Sequence, residues 1–436
     1  MTARHAAVIC LTETENGGYS NLVLNRMLET KRITDSDTVF CAALFYKTLE
    51  RQITLDYILD KCLKKPIETL DTIVRAILRS GLCQMLYMDS VPGFAAVNES
   101  VKLCSRVKKK SAGALVNAAL RRAMQFRPDK LLDGVEGIKA LSVAYSVNEA
   151  LCELLLAQYG SRTEEILKGF FTRGKQVLRV NSLKTDGDKA AEALGNEGII
   201  TSPGPVEGSL LAESGRPLKS GAFGNGLIRP QSLAAQTAVF ALSPRPGDKL
   251  IDLCAAPGGK SLTAAQIMEN TGEITAVDRH KNRLLLVERR AAKEGIKIVA
   301  TCQADSSVFI SEYKNSADRV IADVPCSGYG EIYSKPELRY KRPDVNDELR
   351  ETQYKILTNG AGYLKERGRL VYSTCTLDKR ENQETANRFL SENENFHIVC
   401  DAEFPGFETD EQGCYTKLPS ENDGEGFFIA VFERKR

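Results

Sequence analysis

The sequence predicts a multidomain chain of three parts: an all-α bundle at residues 1–130, a small α+β module at 140–235, and an α/β domain at 236–436. Three observations predict it. Apolar residues recur at three- and four-residue spacing from about Arg4 to Phe126, the period of amphipathic helices. Phe126 to Glu136, FRPDKLLDGVE, sets a proline, a glycine and charges between two apolar patterns and reads as a linker. From Pro246 onward strand and helix patterns alternate, which gives a parallel sheet covered on both faces, with the ligand at the carboxyl ends of the strands.

In the front part Asp35 to Leu49, Leu55 to Leu63 and Leu70 to Tyr87 read as helices, and Leu70, Ile73, Val74, Ile77, Leu78 and Leu82 make one apolar face. A further helical stretch runs to about Phe171. Gln176 to Thr185 then reads as a strand with a turn, followed by a helix from Lys189 to Glu197 and short strands up to Gln231. In the last part Leu250, Ile274, Ile298, Val320 and Leu370 mark five strands, Asp347 to Glu366 reads as a helix, and GFFIAVFER adds a strand near the end.

A ligand site is written at Lys249 to Lys260, KLIDLCAAPGGK: a short buried strand, a tight turn from Cys254 to Gly259, and the first turn of a helix. Adjacent glycines let a bulky group approach the backbone, and the free N–H groups of a helix start favour a carboxylate, a phosphate or a ribose. A phosphate-cradling G-x-x-x-x-G-K-S loop would need glycine where Cys254 stands, and G-x-G-x-x-G is absent. Asp278, 19 positions after Gly259 at the tip of the second strand, is placed to accept hydrogen bonds from ribose hydroxyls. A nucleoside without a phosphate chain fits, and S-adenosylmethionine is such a ligand.

Composition narrows the class. No apolar run reaches membrane-spanning length, and the start MTARHAAVICLTETENGG is too acidic and too short in apolar residues for a signal peptide, so a cytoplasmic protein with no membrane partner is expected. The 12 cysteines include no C-x-x-C and only 3 histidines accompany them, so the thiols read as free and no metal site is expected. The net charge of +2 is unevenly spread: residues 1–130 carry 20 Lys and Arg against 13 Asp and Glu. Arg106, Lys108, Lys109, Lys110, Arg121 and Arg122 form a basic cluster there, which suits phosphate contact or a solvated helix end.

DLCAAPGGK resembles the cofactor loop of the RNA cytosine-C5 methyltransferases of the Sun/RsmB group. LERQITLDYIL, LRSGLCQMLY, AAVNESVKL and ALVNAALRR, in that order, resemble the NusB-like RNA-binding domain at the front of these enzymes, and LRVN (Leu178 to Asn181) matches the landmark of the module between. The resemblance implies a NusB-like bundle, an RRM-like small module and a class I, Rossmann-like methyltransferase domain. It further implies a monomer that uses S-adenosylmethionine on 16S ribosomal RNA, unassembled or partly assembled. Two positions depart from the family: Gln231 is followed by Ser232 rather than aspartate, and Asn148 replaces a common proline.

Each expected strand tip brings a polar residue to one edge: Asp252 and Cys254, Asp278, Asp305, Asp323 with Pro325 and Cys326, and Ser373 to Thr376. Asp305 reads equally as a helix N-cap. By resemblance, Cys254, Ala255, Ala256, Pro257, Gly258, Gly259, Lys260, Asp278 and Asp305 bind the cofactor, and Asp323 stands between cofactor and base. DVPC, Asp323 to Cys326, has cysteine where amine-methylating enzymes carry the aromatic residue of D-P-P-Y, which disfavours an amine target. Carbon 5 of cytosine is a poor nucleophile until a thiolate adds to carbon 6. Cys326 and Cys375 both qualify: DNA cytosine methyltransferases use the position of Cys326, whereas RNA enzymes resembling this chain use that of Cys375. The resemblance implies Cys375 as nucleophile, Cys326 as helper in resolving the adduct, and Asp323 as partner of the cytosine N3 and N4 edge. An RNA-binding assembly factor without catalysis is the alternative, against which the intact cysteines and loop argue. Tyr329 to Pro343, with Lys335, Arg339, Lys341 and Arg342, is expected to line the RNA side or to be a solvated loop.

Overall fold

In a computed structural model the described residues are 1–29, 33–343 and 347–436; residues 30–32 of the expected helical stretch lie outside them. The chain forms two compact units, residues 1–171 with 332–343, and residues 172–331 with 344–436. The first is helical: α1 (Ala3–Glu15), α2 (Ser20–Glu29), α3 (Asp35–Glu50), α4 (Gln52–Cys62), α5 (Thr72–Tyr87), α6 (Gly93–Arg106), α7 (Gly113–Ala123), α8 (Gly137–Tyr145), α9 (Glu149–Tyr159) and α10 (Thr163–Gly169). Asp71 starts α5 by accepting the Ile73 N–H at 3.2 Å. Of the expected α5 face, Val74, Ile77, Leu78 and Leu82 are buried, while Leu70 and Ile73 pack at its margin. Cys10, Cys41, Cys62, Cys83 and Cys104 fill the same core as small apolar groups.

Helices α8 to α10, expected with the small module, belong to the first unit. Thr54 Oγ1 on α4 donates to the Val143 carbonyl of α8 at 2.7 Å, so the chain doubles back after its proline- and glycine-containing turn. The stretch from Tyr329 to Pro343, expected to line the RNA side or to be a solvated loop, is not a solvated loop throughout. Ile332–Pro343 belongs to the helical unit, where a 3-10 turn, Pro336–Tyr340, is packed among the helices. Arg339 is fully buried; it donates to the carbonyls of Tyr145 (3.0 Å) and Phe170 (2.6 Å) and lies 4.1 Å over the Phe171 ring. Burial pushes its pKa down to about 10. The Tyr340 hydroxyl donates to the Leu49 carbonyl and accepts the Gln52 N–H at 3.1 Å. Asn148, in place of the family proline, caps α9 through Leu151 N–H (2.9 Å) and donates to the carbonyls of Arg339 (2.9 Å) and Lys341 (2.8 Å). Proline has no amide to make these last two bonds.

The second unit holds two sheets. β1 (Gln176–Val180), β2 (Thr201–Pro203), β3 (Ser209–Ala212) and β4 (Ile228–Pro230) form an antiparallel sheet of order β2-β3-β1-β4, accompanied by α11 (Gly187–Gly195) and the short α12 (Gly221–Gly224). After α13 (Leu233–Leu242) come β5 (Lys249–Asp252), α14 (Gly259–Ile267), β6 (Glu273–Asp278), α15 (Lys281–Glu294), β7 (Val299–Gln303), β8 (Ala317–Asp323), α16 (Glu348–Tyr363), β9 (Leu364–Thr374) and α17 (Gln383–Glu392). The chain closes with β10 (Phe396–Ile398), β11 (Glu408–Thr409), β12 (Tyr415–Lys417) and β13 (Phe427–Arg434).

The large sheet runs β11-β12-β13-β9-β8-β5-β6-β7, with β10 paired to β13. Strands β5 to β9 pair in parallel, as expected; β13 lies antiparallel to β9 and β12, so the sheet is mixed rather than parallel throughout. The connection from β12 to β13 has no room for the crossover that a parallel partner needs. The expected helix to Glu366 ends at Tyr363, and Lys365 and Glu366 already belong to β9. β5 pairs with β6 on one side and β8 on the other, which makes its carboxyl end the switch point where ligands bind in such sheets. Among the described residues no single helix is long and apolar enough to cross a membrane.

Candidate active site

At the end of β5 the chain turns through Cys254 to Gly258 into α14. Ala255 N–H donates to the Val277 carbonyl of β6 at 2.9 Å, and Gly258 N–H closes the turn onto the Ala255 carbonyl at 2.7 Å. Gly258 has φ +99°, and a Cβ there would meet Val287 Cγ1 at 3.2 Å, so the position is built for glycine. From α15, Arg283 and Arg290 donate to the carbonyls of Ala256 (2.5 Å) and Pro257 (3.0 Å). Behind the loop, Arg229 and Gln231 both donate to the Gly259 carbonyl (3.1 and 3.2 Å), and Arg229 is paired with Glu294 at 2.5 Å. Ser232 caps α13 by accepting the Ala235 N–H at 3.2 Å, a task serine and aspartate perform about equally, so this departure from the family keeps the cap.

Three carboxylates stand along this edge in different states. Asp278 is buried at the end of β6; its Oδ1 accepts the His280 N–H at 2.8 Å and its Oδ2 lies 3.3 Å from Arg283. Asp305 is exposed and accepts from the Ser307 N–H (3.0 Å) and hydroxyl (2.6 Å), bonds that hold its pKa below the usual carboxylate range; they close a local turn, and no helix follows for it to cap. Asp252 is buried, with Oδ2 accepting from Ser261 at 2.6 Å and Oδ1 lacking a partner. Burial raises its pKa to about 7, the Asp323 charge adding to the effect while the Ser261 bond and Lys260 oppose it. The donor set fits S-adenosylmethionine. A helix N-terminus behind a turn that ends on two glycines suits a carboxylate, and the acid closing β6 suits ribose hydroxyls.

The second cluster lies at the ends of β8 and β9. Cys326 Sγ and Cys375 Sγ are 3.2 Å apart, and the Cys375 thiol donates to Glu331 Oε2 at 3.3 Å. Asp323 accepts from Ser373 Oγ at 2.8 Å and pairs with Lys260 Nζ at 2.7 Å. Lys260 thus reaches from the cofactor loop to the tip of β8. Burial alone would lower its pKa, but the carboxylates of Asp323 and Asp252 outweigh it and raise it. Cys375 is pushed well above the ordinary thiol range by its contact with Cys326, by burial, and by the charges of Glu331 and Asp323; burial likewise raises Cys254.

Residues invisible to the motif reading brace this cluster. Glu381 Oε2 accepts from the Ser327 N–H (3.0 Å) and from Gln353 Nε2 (2.7 Å), and Gln353 also donates to the Pro325 carbonyl at 2.9 Å. Asn382 donates to the Thr376 carbonyl at 3.0 Å. For Glu381 and Asn382 the only signal in the sequence is the run DKREN directly after STCTL, charged residues following a strand tip; Gln353, on α16, has none. For Glu331, Arg283 and Arg290 the sequence offers no signal.

A family model described as 16S rRNA methyltransferase RsmB/F matches residues 239–433, and one described as NusB family matches residues 1–125. The chain is 32% identical over 451 residues to the probable ribosomal RNA small subunit methyltransferase B of Bacillus subtilis, covering 100% of this chain and 99% of that one. It is 31% identical over 446 residues to the protein of the same description from Synechocystis, with 100% of each covered. Its fold is similar to the crystal structure of PH0851, at a TM-score of 0.85 and 25% identity, over 99% of this chain and 98% of that one. With full-length relatives above 30% identity, and with its cofactor turn and paired thiols on one sheet edge, the chain belongs to the ribosomal RNA small subunit methyltransferase B family.

Proposed function

We propose that this S-adenosylmethionine-dependent RNA methyltransferase transfers its methyl group to carbon 5 of a cytosine in 16S ribosomal RNA, through a covalent bond between Cys375 and carbon 6. The carrying observation is the pair of thiols, 3.2 Å apart beside the Asp323–Lys260 ion pair. An exocyclic amine or a ribose hydroxyl needs no thiol for its methylation, whereas carbon 5 becomes nucleophilic only when sulfur adds to carbon 6.

When bound, S-adenosylmethionine supplies an electrophilic methyl group. The turn from Cys254 to Lys260 with Asp278 and Asp305 holds it, and Asp323 stands between it and the base. Cys375 attacks carbon 6. Asp323, held by Ser373 and Lys260, meets the N3 and N4 edge: at position 4 a carboxylate accepts from the amino group of cytosine, whereas uracil presents a carbonyl oxygen that repels it. After methylation Cys326 assists loss of the carbon 5 proton, which must precede release of Cys375. The base enters this site only when unstacked, which favours a loop or opened helix of unassembled or partly assembled RNA. We assign residues 1–130 the task of holding that RNA, the 140–235 segment a supporting role at the catalytic core, and the whole chain a monomeric, cytoplasmic life.

The test is a denaturing gel of each cysteine variant with labelled RNA and S-adenosylmethionine. Cys375→Ala should neither methylate nor form an adduct, and Cys326→Ala should accumulate a covalent RNA complex. An adduct that persists in Cys375→Ala and vanishes in Cys326→Ala would reverse the two roles.

A further inference from the structure

We infer that Glu331 is the catalytic base that takes the Cys375 proton as the sulfur adds to carbon 6. This rests on Cys375 being the nucleophile. Its motivation is the hydrogen bond from the Cys375 thiol to Glu331 Oε2 at 3.3 Å, a suitable reach for the larger sulfur atom.

The contact is built by backbone, not by chance rotamers. Gly330 N–H donates to the Cys375 carbonyl at 2.9 Å, and Gly426 N–H donates to the Gly330 carbonyl at 2.8 Å. A Cβ on Gly330 would lie 2.0 Å from the Gly426 carbonyl oxygen and 2.9 Å from that of Cys375. The chain therefore passes the nucleophile at a distance only glycine permits, and the next residue carries the carboxylate.

Cys375 also needs such a partner. Thiols that act as ready thiolates sit beside an imidazolium, an unpaired cation or a helix N-terminus. Here the neighbours are Cys326, Glu331 and Asp323, which all favour the protonated thiol, and the nearby Lys260 ammonium is engaged by Asp323 at 2.7 Å. The three histidines are elsewhere: His5 on α1, His280 after β6 and His397 on β10. A thiol kept protonated at rest must lose its proton during attack, and Glu331 is the acceptor in contact with it.

The step balances without a further reactant. The S–H bond breaks and its proton goes to Glu331 Oε2, the S–C6 bond forms, and the electron pair of the C5=C6 bond moves onto carbon 5 and the conjugated ring. On release the carbon 5 proton leaves to solvent with the help of Cys326. The C6–S bond breaks as the C5=C6 bond re-forms, and the departing sulfur recovers its proton from Glu331.

The experiment joins two readouts on Glu331→Gln, which keeps the size and removes the basicity. In a Cys326→Ala background, where adduct accumulates, rapid quench with RNA and S-adenosylmethionine gives the rate of adduct formation. Without RNA, iodoacetamide gives the alkylation rate of Cys375. Loss of a negative charge beside a thiol favours the thiolate, so alkylation should hold or rise, whereas adduct formation should fall by about 100-fold. Formate should restore part of the adduct rate in Glu331→Ala. A rise in both rates would mean that Glu331 only repels the thiolate, and a fall of both together would mean that it only shapes the site; either overturns the inference, as does an unchanged adduct rate. Failure of the underlying assignment is distinguishable, because it appears as an absence of adduct in Cys326→Ala before Glu331 is altered, and it removes both readings.

Discussion

Asp252 shows how the sheet sets the chemistry of a single side chain. Its pKa of about 7 lies above that of an unfolded aspartate, near 3.9, so the unfolded chain ionises first as the pH rises. The stabilisation is thus fully present below about pH 4 and is lost as the pH climbs through 7, amounting to about 4 kcal/mol at 1.36 kcal/mol per unit. We predict that Asp252→Asn gains stability relative to the wild type between these limits, read as urea midpoints at pH 4.5 and 7.5. A constant gap would mean that the acid does not titrate there. Legibility at this scale follows locality: Asp278 and Asp323 close strands, Cys326 and Cys375 follow within three residues of a strand end, and each sits in a contiguous string. Lys260 reads as part of the cofactor turn because it ends that string, but its four-carbon arm carries the ammonium to Asp323. Glu331, Arg283 and Glu381 act across breaks in sequence that only the folded register closes.

Elements are legible where periodicity is strong and illegible where partners are distant. The α5 face and the five parallel strands follow from spacing alone, since buried central strands read as apolar runs such as Val320 and Ile321 or Leu370 and Val371. Nothing in Tyr329 to Pro343 announces that Arg339 buries itself among the helices and that the Tyr340 hydroxyl bonds to them; charged and aromatic residues in a proline-containing stretch have the composition of a solvated loop. The passage between Cys375 and Gly426 gives an element-scale prediction. Gly330→Ala places a Cβ 2.0 Å from a backbone oxygen, which must shift, and should cost roughly 1–3 kcal/mol and depress methylation through displacement of Glu331. Gly187→Ala, on α11 with nothing within 4 Å of its added Cβ, serves as control and should change stability by less than about 0.5 kcal/mol. Thermal unfolding of the two variants checks the pair, and equal stabilities would show that the crossing tolerates a side chain.

At the scale of the molecule, the basic balance of residues 1–130 is readable from composition, but the extent of the helical unit is not: α8 to α10 and Ile332–Pro343 join it. A chain shortened to begin near Val143 would cut α8 and strip Tyr340 of Leu49 and Gln52, so RNA binding is better tested by charge. Within the cluster Lys109 pairs with Asp71 at 2.7 Å and Arg122 donates to the Cys62 carbonyl at 3.1 Å. Replacing Lys108, Lys110 and Arg121 by glutamine should weaken RNA binding and lower the salt slope by about 1 for each phosphate that is no longer neutralised. An unchanged slope would place the phosphates elsewhere. The most direct measurement of the central claim is a map of 5-methylcytosine across 16S ribosomal RNA, from cells lacking the protein and supplied with the wild type or Cys375→Ala. The account predicts a modified cytosine that returns with the wild type and not with the variant; methylation at an amine or ribose, or 5-methylcytosine restored by Cys375→Ala, would contradict it.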